Sequence, residues 1–184
     1  MEFNGVEFEP EELRKRYEEE SAKRFRTDGK AQYIAAKGEF AYYEQDPYTP
    51  KIDRDPVVRE VDVAILGGGF GGMLAAARLI ESGISNVLII EKGGDFGGTW
   101  YWNRYPGAAC DVESYIYLPL LEETGYMPRE KYASAPEIVE HNRRIGRHYG
   151  LYERALFQTE ISELRWNEDD AVWHCLLYTS DAAD

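Results

Sequence analysis

Two short apolar runs with an amphipathic stretch between them dominate the hydrophobic pattern of the chain. The runs at residues 61–66 and 87–91 each predict a buried β-strand. The stretch between them predicts a helix from about Gly71 to Ser82, and Gly83 suits the position just beyond a helix. A strand, a helix and a strand in this order form a β-α-β unit, whose crossover is right-handed by default. The pattern therefore predicts an α/β fold with a parallel sheet.

The chain before the first strand is polar and heavily charged. Residues from Glu11 to about Arg26 alternate acidic and basic side chains with few apolar positions, which is typical of a solvated helix. Residues 46–56 are punctuated by proline and predict an extended connector. We therefore expect residues 1–58 to form a charged helical extension and a connector.

Another helix and a hairpin are predicted towards the end of the chain. Residues 134–137 form a capping-box sequence with proline in the first turn, which predicts a helix that Gly150 closes. Alternating apolar positions in residues 155–166 and 171–175 flank the polar residues 167–170, a pattern typical of a β-hairpin. This part of the chain should thus add one helix and one antiparallel pair of strands.

The predicted sheet is too small for a complete doubly wound domain. Such a domain needs further parallel strands, and the pattern supplies none after Leu177. We therefore interpret residues 59–177 as a partial Rossmann-like domain, and the chain as the N-terminal portion of a longer protein. Residues 178–184 do not continue the strand pattern, and we interpret them as a tail that need not be native.

Composition narrows the class of protein. A hydrophobic content of 43% over 184 residues can support a packed core. The net charge of −13 argues against nucleic acid or an anionic membrane as a partner, since both repel an acidic surface. No apolar run approaches the length of a membrane span, and the N-terminus lacks the features of a signal peptide. Cys110 and Cys175 do not suggest a disulfide framework, so a reducing, cytoplasmic setting is expected.

The histidines give no reason to expect a metal site. His141 and His148 would lie about 10 Å apart along the predicted helix, which is too far to bind one ion. His174 has no ligand-like spacing to either of them. We interpret all three as solvated or packed side chains.

The glycines between the first strand and the helix form a candidate binding motif. Gly67, Gly69 and Gly72 form the Gly-x-Gly-x-x-Gly fingerprint of dinucleotide-binding proteins, in its proper strand–turn–helix setting. The first glycine permits the tight turn, the second lets the backbone approach a pyrophosphate, and the third lets helix and strand pack closely. The helix that follows directs its free amides and its positive dipole end at the phosphates.

The acid at the end of the second strand narrows the ligand. Glu91 stands where a carboxylate accepts hydrogen bonds from ribose hydroxyls and repels a 2′-phosphate, which favours FAD or NAD over NADP. An alternative is that Glu91 only caps the strand or pairs with Lys92.

The segment after this acid is rich in glycine and aromatic residues. Gly97 and Gly98 let the backbone pass close to a ligand, and Thr99 can donate a hydrogen bond there. The aromatic run 100–102 offers broad apolar faces, which suit an isoalloxazine better than a nicotinamide ribose. The alternative is a loop that merely covers the edge of the sheet.

A resemblance to a known family rests on this segment. Residues 97–107 read Gly-Gly-Thr-Trp-Tyr-Trp-Asn-Arg-Tyr-Pro-Gly, and residues 110–114 read Cys-Asp-Val-Glu-Ser. Placed behind the glycine fingerprint and its acid, this block resembles the FAD-binding part of class B flavin monooxygenases. Within that class it is similar to the Baeyer–Villiger branch, in the group with a charged N-terminal extension. The resemblance runs from about Tyr17 to about Trp173, and the aromatic string is far more specific than the glycine fingerprint.

The resemblance implies a set of site residues. Those placed at the FAD are Gly67, Gly69, Phe70, Gly72, Glu91, Lys92, Gly98, Thr99, Trp100, Asp111, Tyr117 and Ile161. Asp111 is also the implied catalytic residue, beside the flavin and near the nicotinamide, although an aspartate there can equally cap the turn that begins at Val112. Cys110 is better explained as a small packed residue than as a nucleophile. Ala109 stands where many relatives have arginine, which leaves the charge near the nicotinamide open.

The implied activity is a Baeyer–Villiger oxidation. In the complete protein, NADPH would reduce the flavin, and O2 would supply the oxygen inserted into a ketone to give an ester or lactone. The family also needs a second, NADPH-binding glycine fingerprint and an arginine in that later portion, and we expect both to lie beyond the residues of this chain. Two alternatives stay open: a simpler flavin-dependent oxidoreductase, and a non-catalytic FAD-binding fragment.

Overall fold

The computed structural model describes residues 2–3, 6–7, 9–34 and 36–178. The chain divides into two compact units, one within residues 1–45 and the other within residues 46–184. Apart from residue 178, the predicted tail lies outside the described residues.

The described part of the first unit contains one helix and several shorter elements. They are β1 (Glu2–Phe3), β2 (Val6–Glu7), α1 (Pro10–Ala22) and two 3₁₀ helices, Gly29–Gln32 and Gly38–Glu44. The two strands pair antiparallel. Proline in the first turn suits the start of α1, and the acids Glu11 and Glu12 interact favourably with its dipole. No residue of α1 is buried, so the predicted solvated helix is confirmed, although it ends at Ala22 and not near Arg26.

The second unit is organised around a three-stranded parallel sheet. Its strands are β3 (Val63–Leu66), β4 (Val87–Ile90) and β5 (Ala155–Leu156), in the order β3-β4-β5. Helix α2 (Phe70–Glu81) connects β3 to β4, so the predicted β-α-β unit is confirmed. All four residues of β4 are buried, as expected for a central strand covered on both faces.

The core lies between α2, the sheet and α6 (Ala135–His148). Small and flexible side chains on α2 let it pack closely on the sheet. The buried residues of this cluster are Met73, Ala76, Ala77, Val87, Ile89, Phe96, Leu120, Ile145 and Leu151. Between β4 and α6 the chain forms the short helices α3 (Thr99–Trp102), α4 (Ser114–Tyr117) and α5 (Leu121–Thr124), and a 3₁₀ turn, Tyr152–Arg154, precedes β5.

The start of α6 confirms the predicted helix but not its predicted capping box. Ser134 occupies the N-cap position, yet its side chain makes no capping hydrogen bond. The carboxylate of Glu137 accepts hydrogen bonds from the Tyr126 hydroxyl and, at 2.9 Å, from the Arg129 amide. The capping box is therefore wrong because tertiary donors take the acid that the local motif assigned to the helix end.

The antiparallel pair also departs from the prediction at one end. Strands β6 (Glu160–Asn167) and β7 (Val172–Tyr178) form the predicted hairpin. Residues 155–156 do not belong to it, because as β5 they pair in parallel with β4. The backbone then turns at Gln158, whose φ is 49°, and separates β5 from β6. A single run of alternating residues thus serves two sheets.

Candidate nucleotide-binding site

The turn between β3 and α2 is built on close contacts between glycines. Gly67 has φ of 99°, and its amide continues the parallel ladder by donating to the Ile90 carbonyl at 2.8 Å. A Cβ on Gly72 would lie 2.0 Å from the Gly67 oxygen, so no other residue fits there without displacing the helix. The fingerprint therefore does what its spacing predicts: it brings the N-terminus of α2 directly onto the strand end.

The first turn of α2 exposes backbone donors at this point. Gly69 is the N-cap, and the Met73 amide donates to the Gly69 carbonyl at 3.0 Å, closing the first helical turn. The amides of residues 70–72 precede that bond and have no acceptor within the helix. Together with the positive end of the helix dipole, they form an arrangement suited to a phosphate.

Glu91 ties this turn to the segment that follows β4. Its side chain is only 6% exposed. One carboxylate oxygen accepts from the Gly68 amide at 2.5 Å and the other from the Gly93 amide at 2.6 Å. Lys92 pairs with Glu160 at 3.1 Å, so the alternative of a Glu91–Lys92 pair is not what the structure contains. A carboxylate has further lone pairs for a hydroxyl donor.

The second glycine segment packs against the first. The Gly97 amide donates to the Gly68 carbonyl at 3.1 Å. Gly98 has φ of 52°, and a Cβ there would lie 2.8 Å from the Cα of Gly69. This contact places the exposed Thr99, at the start of α3, beside the turn of the fingerprint.

Three of the predicted residues form an aromatic cluster. The Trp100 indole donates to the Tyr117 hydroxyl at 2.8 Å, and their rings meet edge to face at 5.9 Å between centroids. The Phe70 ring lies 5.8 Å from that of Tyr117, also edge to face. Phe70 opens α2, so the cluster borders the first turn of that helix. All three side chains are half-buried, which leaves apolar surface for a planar ligand.

Tyr101 corrects the expectation that the whole aromatic run presents faces to a ligand. Its side chain is fully buried, and its hydroxyl donates to the Asp46 carboxylate. Burial, and then the hydrogen bond to Asp46, raise the pKa of Tyr101 to about 12. Adjacent residues of a helical turn point in different directions, so only part of such a run can face one ligand.

Asp111 is exposed and is not a helix cap. The N-cap of α4 is Glu113, so the alternative role for Asp111 at the following turn is not found. Cys110 is buried, and its sulfur accepts from the Val112 amide at 3.4 Å. It packs with Leu118, Ala133 and Ile138, against which Phe70, Trp100 and Tyr117 also pack. Cys110 is therefore a packed residue, as predicted, and the exposed Asp111 follows it directly in the chain.

Ile161 lies in the hairpin, half-buried. It packs beneath β4 and β5 on a small cluster formed by Leu88, Ile90 and Leu156. Within β6 it pairs with Leu177, next to an irregularity in the register. Its side chain is thus committed to packing, which leaves only its backbone for a ligand.

No motif in the connector predicts that its residues contact the segments around the site. Arg54 donates to the Phe157 carbonyl at 3.1 Å and to the Thr159 hydroxyl, and burial lowers its pKa. The Thr159 amide in turn donates to the Glu91 carbonyl at 2.9 Å. No motif marks such a contact, because it joins residues more than a hundred positions apart.

His141 is packed, as expected. Its Nε2 lies 2.6 Å from the Pro119 carbonyl, its ring stacks on Tyr126, and burial lowers its pKa. Within the part of the chain that the structure describes, no group of three or more His, Cys, Asp or Glu side chains is placed to hold a metal ion.

The fold and the turn define a Rossmann-like nucleotide-binding unit. The family described as NAD(P)-binding Rossmann-like domain matches residues 65–126, which include the turn, α2, β4 and the glycine–aromatic segment.

Relatives make the assignment more specific. The chain is 55% identical to a Baeyer–Villiger monooxygenase of Stachybotrys chlorohalonatus over 90% of its own length and 27% of that protein. It is 49% identical to Baeyer–Villiger monooxygenase 4 of Dietzia sp. over 97% of its length and 29% of that protein. Among solved structures, the polycyclic ketone monooxygenase of Thermothelomyces thermophila matches with a TM-score of 0.82 and 40% identity, over 92% of this chain and 29% of that one.

The resemblance drawn from the sequence is therefore confirmed: nearly the whole chain is similar to a part of the Baeyer–Villiger monooxygenases. OTEMO, crystallised with FAD and NADP, also matches, with a TM-score of 0.61 and 33% identity over 66% of this chain and 23% of that one. The chain spans 27% of the length of the Stachybotrys chlorohalonatus protein and 29% of that of the Dietzia sp. protein.

Proposed function

We propose that this chain binds FAD and that, in a protein of its relatives' length, it forms the FAD-binding part of an NADPH- and O2-dependent monooxygenase that inserts oxygen into ketones. One observation carries the proposal. The amides at the start of α2, the buried carboxylate of Glu91 and the glycine–aromatic segment meet at one end of the parallel sheet. This is the end at which open α/β sheets bind nucleotides.

The backbone of the turn is free of side chains where a dinucleotide needs close approach. The turn carries no side chain at Gly67, Gly69 or Gly72, and a Cβ on Gly72 would collide with backbone. The first-turn amides of α2 would hold the pyrophosphate, and Glu91 would accept hydrogen bonds from the adenosine ribose. Both oxygens of Glu91 are already oriented by backbone amides, so its carboxylate is held in place before a ligand arrives.

The remaining assigned residues would contact different parts of the cofactor. Gly98 and Thr99 would follow its middle section, Trp100 and Tyr117 would border the flavin, and Phe70 would pack beside the pyrophosphate. The backbone of Ile161 would face the adenine, and Lys92 the ribose end. These assignments are supported by the contact of Gly98 with Gly69 and by the Phe70–Tyr117–Trp100 cluster.

The protein groups would bind, orient and shield the cofactor. When bound, the flavin supplies the redox chemistry and NADPH supplies the electrons. Asp111, which is exposed and directly follows the Cys110 that packs near this aromatic cluster, would contact the flavin and act there as the catalytic carboxylate. The rings of Trp100 and Tyr117 would exclude water from one side of the flavin.

The partners of the proposed protein are small molecules: a ketone and O2. No helix in the described ranges is long and apolar enough to cross a membrane. We place the protein in the cytoplasm, a proposal supported by the two free cysteines, Cys110 and Cys175.

Titration of the purified chain with FAD tests the proposal. We expect saturable quenching of flavin fluorescence and a bound yellow cofactor after gel filtration. Glu91→Gln should weaken binding roughly ten- to a hundredfold, because an amide replaces an acceptor that two backbone amides and the ribose require. Glu153→Gln, at an exposed acid outside the site, is the matched control and should bind as the wild type does.

A folded chain that stays colourless at high FAD concentration would refute the binding proposal. The monooxygenase proposal is tested separately on a protein of the relatives' length. There we expect NADPH oxidation coupled to ester or lactone formation, and the absence of ketone oxygenation across a broad substrate panel would count against it.

A further inference from the structure

The carboxylate of Asp46 joins the connector to the segment after β4. Within its own segment it accepts from the Tyr48 amide at 2.8 Å and the Thr49 hydroxyl at 2.7 Å. From the other segment it accepts from the Gly94 amide at 2.8 Å and the Tyr101 hydroxyl. One side chain thus satisfies four donors, which matches the roughly four lone-pair sites of a carboxylate.

The surroundings leave little freedom for this contact. A Cβ on Gly94 would lie 1.8 Å from the Thr49 hydroxyl oxygen, so the two segments touch through a glycine. The guanidinium of Arg104 lies 3.9 Å from the centre of the Tyr48 ring and 4.6 Å from that of Tyr101. Its Nε donates to the Tyr101 carbonyl at 2.8 Å. The connector and α3 are therefore interlocked around Asp46.

Gln158 fastens the connector at a second place. Its amide nitrogen donates to the Thr49 hydroxyl at 2.9 Å and to the Pro50 carbonyl at 2.8 Å, and its oxygen accepts from the Ile52 amide at 2.7 Å. Gln158 comes after Phe157, which follows the last residue of β5, so Gln158 lies at the carboxyl end of the sheet. The connector residues that bond to Gln158 therefore run across this end. This is also the end that carries the nucleotide-binding turn.

The segment fixed by Asp46 is the one that carries proposed cofactor contacts. Gly94 follows Gly93, whose amide holds Glu91, and Tyr101 belongs to the same helical turn as Thr99 and Trp100. Burial raises the pKa of Asp46, but the hydrogen bonds from Tyr101 and the other donors outweigh burial and hold that pKa below its ordinary value. The group is therefore ionised at neutral pH, and its bonds are the strong, charge-assisted kind.

We propose that Asp46 is a positioning residue for the FAD site. By holding Gly94 and Tyr101 from opposite ends of one loop, it keeps Thr99 and Trp100 against the turn of α2 before the cofactor binds. The inference rests on the proposed function, since it assigns Asp46 a role in that same site.

The test compares Asp46→Asn with Asp53→Asn, which removes the same charge from an exposed position of the same connector. An asparagine keeps one acceptor oxygen, replaces the other by an NH2 donor and carries no charge. It therefore cannot accept from the Tyr48 amide at one oxygen and from Thr49, Gly94 and Tyr101 at the other, and the bonds that it keeps are no longer charge-assisted. We expect the FAD dissociation constant to rise about tenfold for Asp46→Asn, and to stay within about twofold of the wild type for Asp53→Asn. Tyr101→Phe should give a smaller rise, and the double variant should match Asp46→Asn alone, since the two groups act through one contact.

Hydrogen exchange on the cofactor-free chain separates positioning from general stability. Asp46→Asn should speed exchange of the amides of Gly94 and residues 100–103 roughly tenfold and leave those of α6 unchanged. Equal FAD binding by Asp46→Asn and the wild type would overturn the inference, as would faster exchange spread evenly over the unit. If Asp46→Asn does not fold, Tyr101→Phe decides by the same two measurements. A wild-type chain that fails to bind FAD overturns the proposed function itself, whereas binding that is indifferent to Asp46 overturns the inference alone.

Discussion

Replacing Gly72 by alanine should disrupt the turn on which the site is built. The added Cβ would lie 2.0 Å from the Gly67 carbonyl oxygen, whereas nonbonded atoms meet at about 3.5 Å. Relief of that overlap requires α2 to move away from the turn by about 1.5 Å. Such a movement strains the 2.8 Å hydrogen bond from Gly67 to Ile90 and opens the contact between helix and sheet. We expect a loss of about 3 kcal/mol in the free energy of unfolding, at the upper end of the usual cost of overpacking.

Gly71→Ala is the matched control, because it makes the same change one residue earlier in the same helix. A Cβ on Gly71 meets nothing within 4 Å, so alanine fits there and should stabilise α2 by up to about 1 kcal/mol through its helix propensity. Urea unfolding followed by circular dichroism measures both variants, with the slope checked for two-state behaviour. Equal stability of the Gly72→Ala and Gly71→Ala variants would refute the idea that close packing explains the third glycine of the fingerprint.

Three other outcomes are expected. Ile145→Ala, at a fully buried position, should lower the free energy of unfolding by about 3 kcal/mol. Ile116→Ala, at a residue that is 68% exposed, should change it by less than about 0.5 kcal/mol. Similar losses for the two variants would contradict the assignment of the core. Ser134→Ala should change it by less than about 0.5 kcal/mol, because this hydroxyl makes no capping bond, and a loss of about 1 kcal/mol would show that the cap exists. Burial and hydrogen bonds to acids raise the pKa of both Tyr101 and Tyr149 to about 12, so the folded chain holds these protons more tightly than the unfolded chain. Stability should therefore be complete below about pH 10 and fall as the pH rises towards 12, and tyrosinate absorbance that titrates fully near pH 10 in the folded chain would contradict this.

Patterns among neighbouring residues were sufficient to predict the β-α-β unit. The apolar runs, the glycine spacing and the C-terminal glycine of the helix all act within about thirty residues, and each agrees with the others. The positions of β3, α2 and β4 follow from them to within about two residues, as does the start of α6. The specific aromatic segment was equally readable, because it lies in one continuous stretch of chain.

Competition between distant groups was not readable in this way. The sequence pattern assigns Glu137 to a capping box, but in the structure Glu137 accepts hydrogen bonds from Tyr126 and the Arg129 amide. The pattern likewise predicts that Tyr101 faces a flavin, but in the structure its hydroxyl bonds to Asp46. In both cases the local motif offers one hydrogen bond, and the folded chain offers a set of donors or acceptors that satisfies more groups at once.

The amino-acid pattern by itself determined that a strand, a glycine turn and a helix form a nucleotide-binding bend, because the backbone geometry of that bend depends on neighbouring residues only. The tertiary structure alone decided that residues 46–54 lie across the same end of the sheet, where Asp46 and Arg54 bond to segments after β4 and β5. Contacts of this kind depend on which surfaces meet once the core has packed. No periodicity or spacing along the chain predicts which surfaces come into contact.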